Sequence, residues 1–261
     1  FAPSKSTPEF DDFCSLNLGD WIGITGVIMT TRRGELSIRV DQWVRLAEAR
    51  RPFPDKWHGI TDTDTRYRQR YVDLWVTPES RNAFMIRSKM MSFTRRFLEE
   101  RGFIEVETPI FHPIPGGANA RPFTTHHNAL DLELYMRVAP ELYLKRLTVA
   151  GFDKVFELGR VFRNEGVSTR HNPEFSMLEL YQAYADYEDI MNLVEELVEY
   201  LAIELTGSTV LHFGDKPLDV ARPWRRASMI ELIKEATGEA LSLEMPIDEI
   251  RKVADKYGVP Y

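Results

Sequence analysis

Hydrophobic and polar residues alternate along two early stretches of the chain, residues 21–29 and 35–46, and both are rich in β-branched side chains. Such alternation is typical of β-strands, and Arg32-Arg33-Gly34 between them has the composition of a hairpin turn. We therefore predict two or three antiparallel strands. They could close as the later part of a five-stranded oligonucleotide-binding barrel, or form a hairpin domain with no RNA role. The pattern alone does not separate the two interpretations.

The strands are predicted to end at Arg51-Pro52-Phe53-Pro54, because proline cannot donate to a strand ladder. A linker is expected over residues 61–76. It holds three arginines beside two tyrosines: Arg66, Arg68 and Arg70, with Tyr67 and Tyr71. This cluster could contact RNA phosphates, or it could be a solvated linker whose charges pair between domains.

Three helices are predicted from period-3.6 patterns. The first begins at Thr77-Pro78-Glu79, carries an apolar stripe for a core or a subunit interface (Ile86, Met90, Phe93 and Phe97), and ends before Gly102. A strand over residues 103–108 follows and stops at Pro109. The other helices span residues 186–206 and about 228–237, where Ser228 and Glu231 have the spacing of a capping box.

Residues 155–184 alternate in hydrophobicity on both sides of a loop at 166–174, which predicts a strand, a long loop and a returning strand. Period-two geometry places two sets of side chains on one shared surface: Glu157, Gly159, Arg163 and Glu165, facing Phe175, Met177, Glu179 and Tyr181. Lone buried charges are costly, so this surface indicates a charged ligand. The alternative is a solvent-facing hairpin whose charges pair among themselves.

Composition narrows the class of protein without deciding the function. The 261 residues are 43% hydrophobic and 28% charged, as in ordinary globular proteins, and they contain no apolar run near the roughly 20 residues that cross a bilayer. One cysteine, Cys14, excludes an internal disulfide and fits a reducing cytoplasm. The formal charge of −7 argues against nonspecific coating of nucleic acid.

The segments around the loop carry a specific resemblance. Phe162-Arg163-Asn164-Glu165, residues 170–175 and residues 178–181 closely resemble the second signature motif of class II aminoacyl-tRNA synthetases, and the segment ending at Glu107-Thr108-Pro109 resembles the first. Five stretches resemble the lysine-specific members rather than the aspartate and asparagine enzymes: residues 54–59, 66–71, 114–118, 125–128 and 139–145. The resemblance covers about residues 20–222.

The resemblance implies an α+β fold, in which an antiparallel sheet flanked by helices follows a partial OB-fold β-barrel. The expected domains are an anticodon-binding domain over residues 1–60, a linker over 61–76 and an incomplete catalytic domain over 77–261. The expected reaction is ATP-dependent activation of L-lysine to lysyl-adenylate and transfer to tRNA(Lys), with Mg²⁺, by a cytoplasmic homodimer without a membrane partner.

The resemblance also implies residue roles. Arg163 would be catalytic, bridging the lysine carboxylate and the ATP α-phosphate. Gly117 and Glu141 would hold the amino-acid end of lysine, and Glu179 with Tyr181 its side chain. The remaining ATP contacts would be Glu165, His171, Asn172 and Phe175, the last stacking on adenine. Glu35 is the candidate for tRNA contact, and no metal ligand is expected in this chain.

The third family motif and the acidic segment before it are absent, and there is no initiator Met. We therefore expect a fragment that is nearly inactive in isolation. Three alternatives stay open: an enzyme that lysylates a translation factor, a lysyltransferase with a lipid acceptor and a membrane module, and a noncatalytic RNA-binding paralogue. The β segment counts against the first, and intact Arg163, Glu141 and Glu179 count against the last.

Overall fold

The computed structural model describes residues 8–51, 54 and 59–261. The chain divides into two compact units, the first reaching Arg87 and the second running Ser88–Tyr261. This boundary falls inside a helix and does not test the predicted three-part division, which stays a prediction.

The described residues form eight helices and ten strands. The helices are α1 Pro8–Cys14, α2 Thr63–Arg68, α3 Arg70–Val76, α4 Pro78–Glu99, α5 Glu141–Val149, α6 Tyr187–Thr206, α7 Met229–Thr237 and α8 Ile247–Lys256. The strands are β1 Trp21–Thr30, β2 Leu36–Ala47, β3 Ile104–Glu105, β4 Phe111–His112, β5 Thr124–His127, β6 Leu132–Met136, β7 Lys154–Phe162, β8 Glu174–Gln182, β9 Val210–Phe213 and β10 Lys216–Asp219.

The predicted hairpin is present in the first unit. β1 and β2 pair in antiparallel fashion, and Gly34 supplies the positive φ of 84° that the turn between them requires. No third strand joins them within residues 8–51, so the described part of the chain holds a two-stranded portion of the expected barrel. Pro52 and Phe53, predicted to end the strands, and residues 55–58 of the motif at 54–59 lie outside the described residues.

The predicted linker is helical over most of its length, as α2 and α3. Asp62 caps α2 by accepting a hydrogen bond from the Thr65 amide at 2.7 Å. The arginines pair with acids inside the first unit, Arg66 and Arg70 with Asp73 and Arg68 with Asp64. The expectation of pairing between domains is therefore wrong for these three side chains.

The second unit is built around the predicted α4 and α6. α4 begins at Pro78 as predicted, and Gly102 after it has a φ of 80°. The N-cap of α6 is Asp186, which forms a capping box with Asp189. Buried residues from α4, β7 and the segment between α4 and β3 make the core, against which apolar side chains of β8 and α6 pack: Phe97, Leu98, Phe103 and Phe156, with Leu178, Leu180, Leu193, Leu197 and Tyr200.

The apolar stripe of α4 has two different environments. Phe97 is 1% exposed, whereas Ile86 and Met90 are 43% and 38% exposed. The C-terminal half of the stripe is therefore core, and the N-terminal half is an uncovered apolar surface in the described chain.

Two three-stranded sheets position the functional segments. In one, β7 lies between β3 and β8, parallel to β3 and antiparallel to β8; in the other, β6 lies between β4 and β5. The predicted strand over residues 103–108 is only the two-residue β3. The mixture of helices with largely antiparallel sheets confirms the α+β class.

α7 and its capping box between Ser228 and Glu231 are also as predicted. Among the described helices, none has the length and apolar character that a membrane-crossing segment needs.

Candidate active site

Alternation along β7 and β8 separates a core face from a polar face. Phe156 pairs with Leu180 in the ladder, and both face the helices of the core. The next pair, Glu157 and Glu179, therefore faces the other side of the sheet. α5 packs on that side, because Lys145 Nζ lies 6.0 Å from the centre of the Tyr181 ring. The predicted shared surface is thus formed by one strand pair.

A cavity of about 350 Å³ opens at the loop end of this strand pair. All five residues assigned above to ATP line it, together with three that the sequence did not single out: Arg163, Glu165, His171, Asn172 and Phe175, with Gly166, Arg170 and Pro173. The structure therefore brings the predicted nucleotide set together around one space.

Arg163 lies one residue beyond the end of β7. Its backbone amide donates to the Pro173 carbonyl at 2.8 Å, which joins the two ends of the loop. The guanidinium carbon lies 5.3 Å from the centre of the Phe175 ring, and Nε donates a long hydrogen bond of 3.4 Å to the Val138 carbonyl. Most of its donor capacity therefore faces the cavity rather than a protein acceptor.

Two further contacts shape the loop. The Arg121 amide donates to Glu165 Oε1 at 3.3 Å, and the Arg121 carbonyl accepts from the Asn164 amide at 2.7 Å. Ser168 Oγ lies 2.8 Å from His171 Nδ1, so the hydroxyl fixes one edge of the imidazole ring. Glu165 and His171 are exposed, and both lie in the loop between β7 and β8.

Gly117 and Glu141 lie against each other beside the strand pair. Gly117 has a φ of 90°, and a side chain there would approach Cβ of Glu141 to 3.1 Å. Glu141 is the first residue of α5 and accepts from Lys145 Nζ at 2.6 Å. A carboxylate at this end of a helix is favourably placed with respect to the helix dipole.

Glu179 and Tyr181 complete an acidic cluster. Burial raises the pKa of Glu179 above its usual range, and the charges of Glu141 and Glu157 add to the rise, while a hydrogen bond from the Tyr181 hydroxyl at 3.3 Å opposes it. Burial and the charges of Glu179 and Glu141 raise the pKa of Tyr181, which therefore stays a neutral donor. Three carboxylates sharing one region favour a cationic ligand.

Sequence reasoning missed Arg137. This side chain is 3% exposed; it donates from Nη1 to Glu157 Oε1 at 2.5 Å and from Nε to the Arg160 carbonyl at 2.8 Å. Thr108 Oγ1 donates to the other carboxylate oxygen of Glu157 at 2.6 Å. A single arginine in the apolar run at residues 134–139 was the signal that could have found it, since an isolated buried cation needs an acidic partner.

Glu35 belongs to a different place in the molecule. It is exposed in the β1–β2 turn, where its amide donates to Thr31 Oγ1 at 3.2 Å. Nothing in its surroundings tests the predicted tRNA contact. Across residues 8–51, 54 and 59–261, no group of three or more histidine, cysteine or acidic side chains is arranged to hold a metal ion.

Residues 62–259 match the family model described as tRNA synthetases class II (D, K and N). The chain belongs to this family. The resemblance to class II synthetases noted in the sequence is thus confirmed at the level of the family.

Within the class II synthetases, the chain is similar to curated proteins named lysine–tRNA ligase. It is 54% identical to that of Halalkalibacterium halodurans over 252 residues, which is 97% of this chain and 50% of the relative. It is 53% identical to that of Bacillus subtilis over 256 residues, 98% of this chain and 51% of the relative. The protein of Prochlorococcus marinus (strain MIT 9211) is 56% identical over 220 residues, which is 84% of this chain and 44% of the relative. The chain thus spans about half the length of the curated relatives it matches.

Proposed function

We propose that this chain is part of an enzyme that activates L-lysine with ATP and transfers the lysyl group to tRNA(Lys). In the first step, a lysine carboxylate oxygen attacks the α-phosphorus of ATP, the bond to the β,γ-pyrophosphate breaks, and lysyl-adenylate forms. In the second, a terminal ribose hydroxyl of tRNA attacks the lysyl carbonyl carbon and AMP leaves. The names of the relatives, lysine–tRNA ligase, and the acidic cluster support this proposal.

The position of Arg163 carries the proposal. Its guanidinium lines the cavity with Phe175, and its Nε donates to the carbonyl of Val138, three residues before Glu141. One fork-shaped cation therefore borders both the nucleotide space and the acidic cluster, and such a fork suits carboxylate and phosphate together. We infer that it holds the lysine carboxylate against the α-phosphate while negative charge builds at phosphorus.

The acidic cluster supports lysine rather than aspartate or asparagine as the substrate. Lysine has two ammonium groups at its ends, and the site offers Glu141 beside Gly117 and Glu179 beside Tyr181. We assign the first pair to the amino-acid end and the second to the side chain. Aspartate would bring a further negative charge into a region where burial already opposes one, so a site for aspartate needs cations there.

For ATP, we assign stacking on adenine to Phe175 and polar contacts to Glu165, His171 and Asn172. No covalent protein nucleophile is required, because orientation and electrostatic stabilisation are enough for this displacement. Mg²⁺ is part of the proposal through the family resemblance, where it offsets phosphate charge. The described residues do not fit a metal site by themselves, and no step above passes through the ion.

We further propose a cytoplasmic homodimer. The support for the dimer is the uncovered apolar half of the α4 stripe, where Ile86 and Met90 are joined by exposed Phe84 and Met85. Contiguous exposed apolar surface marks an interaction site, and a two-fold dimer is the commonest symmetric way to cover it. The described β1–β2 hairpin, with Glu35 at its turn, would contribute to anticodon readout.

Amino-acid-dependent exchange of labelled pyrophosphate into ATP tests the proposal on the full-length protein. We expect lysine to support exchange, with aspartate and asparagine near background. Charging is then compared on tRNA(Lys) and on protein and lipid acceptors, and lysyl-tRNA is the expected product. Exchange with aspartate alone, or lysylation of only a protein or lipid, would replace this proposal, and no exchange with any amino acid would favour a noncatalytic RNA-binding role.

A further inference from the structure

One acid of the cluster, Glu157, forms a buried ion pair with Arg137. Glu157 and Glu179 are register partners on β7 and β8, and both face the same side of the sheet. Side chains that are directly opposed on antiparallel strands have Cβ atoms about 4.5–5.5 Å apart. Two carboxylates at that separation repel each other unless one of them is neutralised.

Glu157 is the carboxylate whose hydrogen-bonding capacity is taken up inside the protein. Oε1 accepts from Arg137 Nη1 at 2.5 Å and Oε2 accepts from Thr108 Oγ1 at 2.6 Å, and Arg137 and Glu157 are 3% and 4% exposed. Glu179 has a different environment, since the Tyr181 hydroxyl at 3.3 Å is its described hydrogen-bond partner. The pair of acids is therefore divided into one that is internally bound and one that faces the site.

Arg137 is held in place from several directions. Its Nε donates to the Arg160 carbonyl, and Nη1 also donates to Thr108 Oγ1 at 3.1 Å. Gly159 makes the room: a Cβ at that position would collide with Arg137 Nη2. The backbone carbonyl of Arg137 accepts from the Phe162 amide at 2.9 Å, immediately before Arg163. Arg137 thus contacts Thr108 and several positions along β7, the last of them next to Arg163.

We propose that Arg137 is a positioning residue that neutralises Glu157, so that the carboxylate of Glu179 on the neighbouring strand stays available to a substrate ammonium group. The inference rests on the proposed function for the identity of that ammonium. It gives Arg137 no contact with substrate, since its guanidinium is buried and bound to Glu157, Thr108 and Arg160.

The groups around Glu179 fix the sign of the test. Tyr181 lies on the same strand, Glu157 on β7, Arg137 directly after β6, and Glu141 with Lys145 on α5. Burial raises the pKa of Glu179, Glu141 and Glu157 add to the rise, and Tyr181 and Arg137 lower it. Arg137→Gln leaves Glu157 unpaired and should raise that pKa. Glu157→Gln leaves Arg137 unpaired and should lower it. The double variant removes both charges and should leave it near its original value.

The first experiment measures the pH dependence of kcat/KM for lysine in the full-length protein. Activity falls on the acid side as Glu179 is protonated. We expect Arg137→Gln to move this acid limb up by about one pH unit, Glu157→Gln to move it down, and the double variant to restore it. At a pH within the displaced limb, KM for lysine should rise about tenfold in Arg137→Gln with a smaller change in kcat.

Folding is controlled separately, because an unpaired buried charge destabilises a protein strongly. Thermal midpoints are measured for every variant. If Arg137→Gln does not fold, Arg137→Lys is used in its place, because it keeps the positive charge. Arg137→Lys should give a smaller upward displacement than loss of the charge, and the double variant none. A purely structural role predicts losses that follow the midpoints without opposed displacements, and that result would overturn the inference.

A second readout separates this inference from the proposed function. Carboxyl-¹³C NMR on glutamate-labelled protein, with Glu179→Gln as the reference for assignment, measures the pKa of Glu179 without substrate. Opposed shifts in the two single variants support the inference even if lysine fails to promote exchange. Equal or absent shifts refute it even if lysine proves to be the substrate.

Discussion

Asp73 in the first unit and Glu179 in the second are both carboxylates withdrawn from water, and they differ in what surrounds them. Asp73 is 0% exposed and is met by Arg66 at 2.9 Å, Arg70 at 2.5 Å and Thr77 at 2.9 Å. Burial opposes its charge, but hydrogen bonds from Arg66, Ser80 and Thr77 lower its pKa to about 2. For Glu179, burial raises the pKa and the charges of Glu141 and Glu157 add to the rise, while the hydrogen bond from Tyr181 opposes it.

Under the proposed function, this difference separates a structural charge from one that binds substrate. A buried charge that is fully paired holds neighbouring segments together and has no capacity left for a ligand. A charge kept in an unfavourable field, with one long hydrogen bond, gains most when a cation arrives from outside. The same contrast holds for arginines: Arg66 donates to Asp73 and Ser80, whereas Arg163 has one 3.4 Å bond and an aromatic face.

The largest effect on catalysis is expected from loss of the guanidinium of Arg163. Arg163→Gln should lower kcat/KM for lysine-dependent pyrophosphate exchange by about a thousandfold, because donors aimed at developing charge contribute on that scale. Arg160→Gln is the matched control, since Arg160 lies on β7, three residues before Arg163, and pairs with exposed Glu174 at 3.5 Å. Similar losses of kcat/KM in both variants would contradict the distinction between Arg163 and an arginine that is paired within the protein.

The second-largest effect is expected from removing the carboxylate of Glu179. Glu179→Gln keeps the shape of the side chain and should raise KM for lysine roughly 10- to 100-fold, the worth of a hydrogen bond between charged groups. Glu174→Gln, at the exposed start of the same strand, is the control and should leave KM unchanged. A Glu179→Gln enzyme with ordinary lysine kinetics would place the ammonium elsewhere.

The smallest effect on catalysis should come from removing the charge of Asp73. Asp73→Asn removes the acceptor of two arginines, so it should lower the thermal midpoint of the first unit while the lysine KM stays the same. Because the pKa of Asp73 is about 2 in the fold and about 3.9 in an unfolded chain, its stabilising effect is complete above about pH 4. It is lost as the pH falls toward 2.

Scanning calorimetry between pH 2 and pH 5 measures this, with Asp64→Asn as the control. Asp64 is an exposed partner of Arg68 and should contribute little. The unmodified protein should lose midpoint temperature toward low pH more steeply than Asp73→Asn. Parallel curves would mean that Asp73 does not carry the acid sensitivity.

The sequence contained enough to predict the strand pair and its polar face, because alternation over nine-residue strands is a strong local signal. α4, α6 and α7 were predictable from period and caps. Strands of two to five residues, such as β4, β5 and β6, are too short for periodicity to show. The two helices within the predicted linker, α2 and α3, were not predicted, because the charged residues there resembled a solvated segment.

The partners of Arg137 and Asp73 could not be predicted. Glu157 is 20 residues from Arg137, on a strand that is not adjacent to β6 in either sheet, so no local spacing links them. For Asp73, the arginine that it meets depends on how α2, α3 and the start of α4 pack. Pairings of this kind depend on tertiary structure rather than on local pattern.

The most direct test of the contrast between Glu179 and Asp73 is to measure both pKa values before and after lysine binds. Carboxyl-¹³C NMR on the full-length protein, labelled at glutamate and aspartate, would follow Glu179 and Asp73 through a pH titration with and without saturating lysine. We predict that lysine lowers the raised pKa of Glu179, since the ammonium stabilises its charged form, and that Asp73 stays near 2. A Glu179 titration that saturating lysine leaves unchanged would contradict the account.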